Sequence, residues 1–225
     1  MAKKQKGNVR TSLEEFNESL STFEQKLENN KKLIYWPIGI ILALVLIAVV
    51  YIYGFRNPNL KNATEDISKA DMELLFNGND STALLGYKKV ADSYSNKPAN
   101  RANLNAAILL YQKGKYEEAA RYLNNFDPKG NIVGPASQSL LGDCYVNLKQ
   151  LDKAIGAFDK AISLSKDNPD YTPLFMIKKA VVLREQKKYA QEAELYQSLK
   201  DKFPMYAAQN GIDKYLERAK AEAGK

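Results

Sequence analysis

The chain has 225 residues, with 33 Lys+Arg against 26 Asp+Glu, one cysteine and no histidine. That length leaves room for one or two domains with a real core, and the aromatic share of 10% excludes a disordered composition. Without histidine there is no His general base, no Ser-His or Cys-His nucleophile pair and no His metal ligand, and the lone Cys144 forms neither an internal disulfide nor a Cys-based zinc site.

The N-terminal arm opens polar and basic through residue 10. Thr11 and Glu14 then have the spacing of a capping box. Leu13, Phe16, Leu20, Phe23 and Leu27 follow at steps of 3, 4, 3 and 4, which predicts one apolar face of a helix over about 12–30. Such a helix could lie on a membrane surface, dock onto a neighbouring protein or pair with its own copy. Lipid binding favours a cationic polar face, and Glu14, Glu15, Glu18, Glu24 and Glu28 oppose it. The five apolar residues are therefore read as a partner-docking face.

From Leu33 to Tyr53 the chain runs 21 residues without a charge, LIYWPIGIILALVLIAVVYIY. A helix of that length spans ~30 Å, the hydrocarbon thickness of a bilayer. Tyr35 and Trp36 stand at one end and Tyr51 and Tyr53 at the other, where amphipathic rings favour the interfaces. Pro37 is expected in the first turn, where its missing N–H costs little. No small-residue cleavage site follows the run, so a retained transmembrane anchor is expected rather than a signal peptide. Residues 1–32 carry Lys3, Lys4, Lys6, Arg10, Lys26, Lys31 and Lys32, whereas the 16 residues after the run carry Arg56, Lys61 and Lys69. The positive-inside rule places the N-terminus in the cytoplasm and the rest outside it. The expected layout is an arm at 1–32, an anchor at 33–53, a linker at 54–61 and one domain at 62–225.

That domain repeats itself. Ala83/Tyr87/Val90, Ala119/Leu123/Phe126 and Ala154/Phe158/Ala161 share one pattern, and Ala193/Tyr196/Leu199 form a weaker fourth set. The alanines stand 36, 35 and 39 residues apart, close to a helix-pair period of about 34. In the clearest copy, 135–168, Leu141, Gly142 and Tyr145 mark a first helix, and Ala154, Phe158 and Ala161 mark a second. Gly142 and Ala154 would let the pair approach closely, with Phe158 and Tyr145 filling the space beside them. This copy resembles the tetratricopeptide repeat family. The copy at 100–128 departs where Ala107 replaces glycine, and the copy at about 62–97 where Asp71 does. The copy at 174–204 slips by one residue between Tyr189 and Ala193 and ends in Phe203-Pro204. Residues 206–222 read as a closing helix. The fold class is thus all-α: one N-terminal transmembrane helix, then a solenoid of about four helix pairs with a C-terminal cap.

The resemblance implies a concave wall lined by first helices. The family's inward positions fall on Arg101, Leu104, Asn105, Ile108 and Tyr111 in one repeat, on Ser139, Asp143 and Asn147 in the next, and on Lys178 in the slipped copy. Arg101, Asn105 and Lys178 could hold a peptide carboxylate, although the full basic clamp of some family members is missing. A plain solvated groove is the alternative. No phosphate-binding GxxxxGK[ST] or GxGxxG pattern occurs, no cofactor is indicated, and lysines without interleaved aromatics argue against nucleic acid. An enzyme is not expected.

The layout of cytoplasmic helix, single anchor and external repeats is similar to the ancillary subunit family of the bacterial Sec translocon. That resemblance implies an inner-membrane scaffold whose periplasmic repeats meet emerging chains or chaperones. An organelle import receptor with cytosolic repeats and an envelope or cell-division scaffold that self-associates remain alternatives.

Overall fold

A computed structural model describes residues 12–29 and 31–224, with side chains described over 15–26 and 35–224. The described residues form helices and the turns that join them, and contain no strand. Two compact units divide the chain, residues 1–58 and 59–225.

The first unit holds α1 (Ser12–Asn29), α2 (Lys31–Val50) and a π-helical turn over Tyr51–Arg56. Phe16, Leu20 and Phe23 stand along one exposed face of α1, while the Leu13 and Leu27 side chains lie outside the described residues. The helix carrying the uncharged run starts at Lys31, so Pro37 falls inside it rather than in its first turn. There the ring removes the bond to the carbonyl four residues earlier. One helical stretch, beginning at Tyr35, is long and apolar enough to cross a membrane, and none of that apolar window is buried inside the protein. Residues 54–61, expected to be a linker, are helical: they complete the π turn and begin the next helix, with Pro58 in its first turn.

The second unit is a solenoid of four antiparallel helix pairs. They are α3 (Asn57–Leu75) with α4 (Asp80–Ser93), α5 (Lys97–Gln112) with α6 (Tyr116–Asn125), α7 (Val133–Asn147) with α8 (Leu151–Ser165), and α9 (Thr172–Glu185) with α10 (Tyr189–Lys202). The short α11 (Pro204–Gln209) and α12 (Ile212–Ala223) close the array. Local sequence sets several boundaries. Asn79 Oδ1 accepts from Thr82 N–H at the start of α4, and Asn96 Oδ1 from Ala99 N–H at the start of α5. Each turn between paired helices needs one left-handed residue: Gly78, Gly114, Lys149 and Lys187 take φ of 60°, 72°, 58° and 58°. Glycine adopts this conformation freely, so the two lysines hold strained backbone.

The second helices carry the core at one register. Each begins three residues before a fully buried position: Ala83, Ala119, Ala154 and, in the fourth pair, Glu192. Tyr87, Leu123, Phe158 and Tyr196 follow four residues later, and Val90, Phe126, Ala161 and Leu199 three beyond them. The fourth copy therefore does not slip at Ala193. Its register is intact and a glutamate occupies the small-residue position. The close approach at Gly142 is also real, because a Cβ there would lie 2.5 Å from the Phe158 ring. One apolar cluster joins the first three pairs through Ala70, Tyr87, Leu110, Tyr122 and Leu141, and a second joins α9 and α10 to the cap through Met176, Leu199, Phe203 and Leu216.

Candidate protein-docking surface

Each first helix buries one side against its pair and leaves the other open. Met72, Ile108, Asp143 and Val181 occupy equivalent registers on α3, α5, α7 and α9, at the same spacing as the buried positions of the second helices. Met72, Ile108 and Val181 are exposed and Asp143 is half-buried. Leu75 and Phe76 extend the exposed apolar surface at the first pair, and Leu174 at the fourth. These apolar positions, apart from Ile108, escaped sequence reasoning because neither the first repeat nor the fourth was in secure register.

Arg101 and Asn105 lie one turn apart on α5. The Arg101 guanidinium donates to Asp71 Oδ2 at 2.6 Å, and Tyr87 donates its hydroxyl to Asp71 Oδ1 at 2.8 Å. Burial first, and the Asp71 contact second, push the Tyr87 hydroxyl up to about 12, while a hydrogen bond with Asn105 opposes the shift. Asp71, the departure from the repeat's glycine, is thus the fixed counter-ion of Arg101.

Asp143, Asn147, Tyr111 and Lys178 come together on the next stretch of wall. Lys178 Nζ donates to Asp143 Oδ2 at 2.6 Å and to Ser139 Oγ at 3.2 Å. Asn147 donates its side-chain amide to the Asp143 backbone carbonyl at 2.8 Å. The Tyr111 ring meets Tyr116 edge-on at 5.3 Å, and burial raises its hydroxyl above the usual range. Arg101 and Lys178 belong to these two separate clusters, each with its own carboxylate, and do not form one cationic clamp.

Cys144 lies beside Asp143 but points into the core, fully buried. Burial, aided by the Asp143 charge, pushes its thiol up to about 12, which suits packing and not nucleophilic attack. Among the described residues no His/Cys/Asp/Glu group could hold a metal ion.

A charged cluster that sequence reasoning missed closes the fourth pair. Glu192 Oε1 accepts from Arg184 Nε at 3.2 Å and lies 3.7 Å from an Arg218 nitrogen. Arg184 also donates to Glu222 Oε2 at 2.8 and 3.0 Å. Glu192 Oε2 is buried without a hydrogen-bond partner. Burial raises the Glu192 carboxyl above its ordinary value, against the pull of Arg184 and Arg218. Arg218 and Glu222 belong to α12, so this cluster ties the cap to α9 and α10. Tyr196 and Tyr215 stack across the same junction at 5.9 Å.

Two tetratricopeptide-repeat family models match the chain, one over residues 73–127 and one over 135–168. No curated protein matches the sequence significantly. Among solved structures, the crystal structure of MamA is similar at 19% identity and a TM-score of 0.50, over 69% of this chain and 94% of that one. At that identity the likeness speaks for the fold alone. Residues 73–127 and 135–168 are tetratricopeptide repeats, set in an all-helical solenoid of that type.

Proposed function

We propose that the chain is a non-enzymatic scaffold held in a bacterial inner membrane by α2, with its repeats on the periplasmic side and its open wall receiving polypeptide partners at the protein-secretion translocon. The observation that carries the reading is the uncharged run Leu33–Tyr53, helical and, from Tyr35 onward, not buried inside the protein, followed in the same chain by a repeat array with an open wall. Uncovered apolar surface of that extent in water is costly, and a bilayer removes the cost. The lysines ahead of the run favour a cytoplasmic N-terminus. The exposed Phe16, Leu20 and Phe23 would then face the membrane machinery from the cytoplasm, and emerging chains or chaperones would meet the repeats. Affinity purification of the full chain from gently solubilised membranes, with co-purifying proteins identified by mass spectrometry, tests the reading. Translocon subunits well above background support it. Division or outer-envelope proteins in their place, with no translocon, overturn it.

A further inference from the structure

The two cations that the repeat pattern places on the open wall, Arg101 and Lys178, are already neutralised from within. Arg101 sits 2.6 Å from Asp71 and Lys178 2.6 Å from Asp143. A carboxylate approaching Arg101 or Lys178 would meet the resident aspartate at similar range, so attraction and repulsion nearly cancel. Drawing the cation away would leave a partly buried aspartate unpaired. What the wall offers without opposition is apolar surface: Met72, Leu75 and Phe76 at one end, Ile108 in the middle, Val181 and Leu174 at the other, all exposed.

We infer that the wall recognises an uncharged apolar stretch of extended polypeptide, and that Asp71 and Asp143 act as built-in decoys that reject charged ends. This rests on the reading of the wall as a polypeptide-docking surface and names the chemistry of its occupant. Charge matching decides against a carboxylate at Arg101 or Lys178 and against an amine at Asp71 or Asp143, because each of these charges has its complement on the protein. An extended strand, at ~3.3 Å per residue, can run from helix to helix along positions that recur in each repeat. The two aspartates then provide specificity by exclusion, leaving affinity to apolar contact.

The test uses the full chain in bilayer discs and a fluorescent peptide of leucine, serine and glycine, made with a free or an amidated C-terminus. The wild type binds both forms with affinities within about twofold. Ile108→Ser with Val181→Ser weakens both by about tenfold or more, the loss expected from two apolar contacts. Asp143→Asn uncovers Lys178 and creates a preference for the free carboxylate that fades with added salt. The inference is overturned if the wild type already prefers the free carboxylate, or if an acidic peptide binds this wall and the apolar one does not, while the docking reading stands. If neither peptide binds, or if binding survives the two serines, the docking reading itself falls with it. The unaltered helix content of Asp143→Asn, read by circular dichroism, separates uncovering from unfolding.

Discussion

Arg184→Leu is the most telling perturbation of the fold, because it strands a carboxylate in the interior. Glu192 is fully buried, its Oε2 has no partner, and Arg184 is its nearest counter-ion at 3.2 Å. Breaking a buried ion pair from one side costs about 3–5 kcal/mol. Arg184 keeps a quarter of its side chain exposed and Arg218 remains 3.7 Å away, which brings the expected loss to about 2 kcal/mol. Glu192→Ala, in contrast, restores the residue type of Ala83, Ala119 and Ala154. It removes the buried charge and some methylene packing together, so its net effect stays within about 1 kcal/mol. The double variant Arg184→Leu/Glu192→Ala then recovers much of the loss. Urea unfolding of the full chain gives the midpoints, and hydrogen exchange of the α12 amides localises the effect to the cap. A single-variant Arg184→Leu no worse than Glu192→Ala, or a double variant worse than Arg184→Leu, would refute the reasoning.

Gly142→Ala forces a methyl against the Phe158 ring, 2.5 Å from its nearest carbon, and should cost about 1–3 kcal/mol by thermal unfolding. Lys149→Gly and Lys187→Gly release left-handed backbone strain and should each stabilise by about 0.5–1 kcal/mol in the same measurement. Cys144 should resist alkylation in the native chain at mildly alkaline pH and react once unfolded, because its thiol is buried and raised to about 12. Acid titration separates two opposing contributions. Lys88 holds Glu118, and Lys89 holds Asp66, below their ordinary values of 4.5 and 3.8. A lowered folded value means stability that is present above the ordinary value and lost as pH falls through the lowered one. Glu192 is raised, so its share runs the other way: it favours folding below its ordinary 4.5 and is lost as pH rises through the raised value. Removing Glu192 should therefore steepen the net acid destabilisation seen in the unfolding midpoint.

The sequence carried the repeat plan wherever small and aromatic residues recur, as at Ala119/Leu123 and Ala154/Phe158. The fourth copy lost its register by one residue because Glu192 stands where alanine was sought, and only the arginines that neutralise it make the position tolerable. Arg184 precedes Glu192 by eight residues and Arg218 follows it by twenty-six, so no local pattern links the three. The same distance hid the state of the wall. Arg101 and Lys178 read as free cations, since Asp71 and Asp143 lie a full repeat earlier in the chain. Asp71 looked like a departure from a glycine position, although it is the counter-ion of Arg101. Pro37 lies deeper in its helix than the apolar pattern implies, because that pattern does not mark where a helix begins among flanking lysines.

The proposal has the open wall of the repeats, and not another face, receive polypeptide while α2 holds the chain in the membrane. A photo-crosslinking residue placed at Ile108 in the membrane-embedded full chain tests it directly, with the same residue at Leu85, exposed on a second helix, as control. Crosslinks from position 108 to translocon subunits or to chains in export are expected, with background alone from position 85. Equal crosslinking from both positions, or none from position 108 during active secretion, would contradict it.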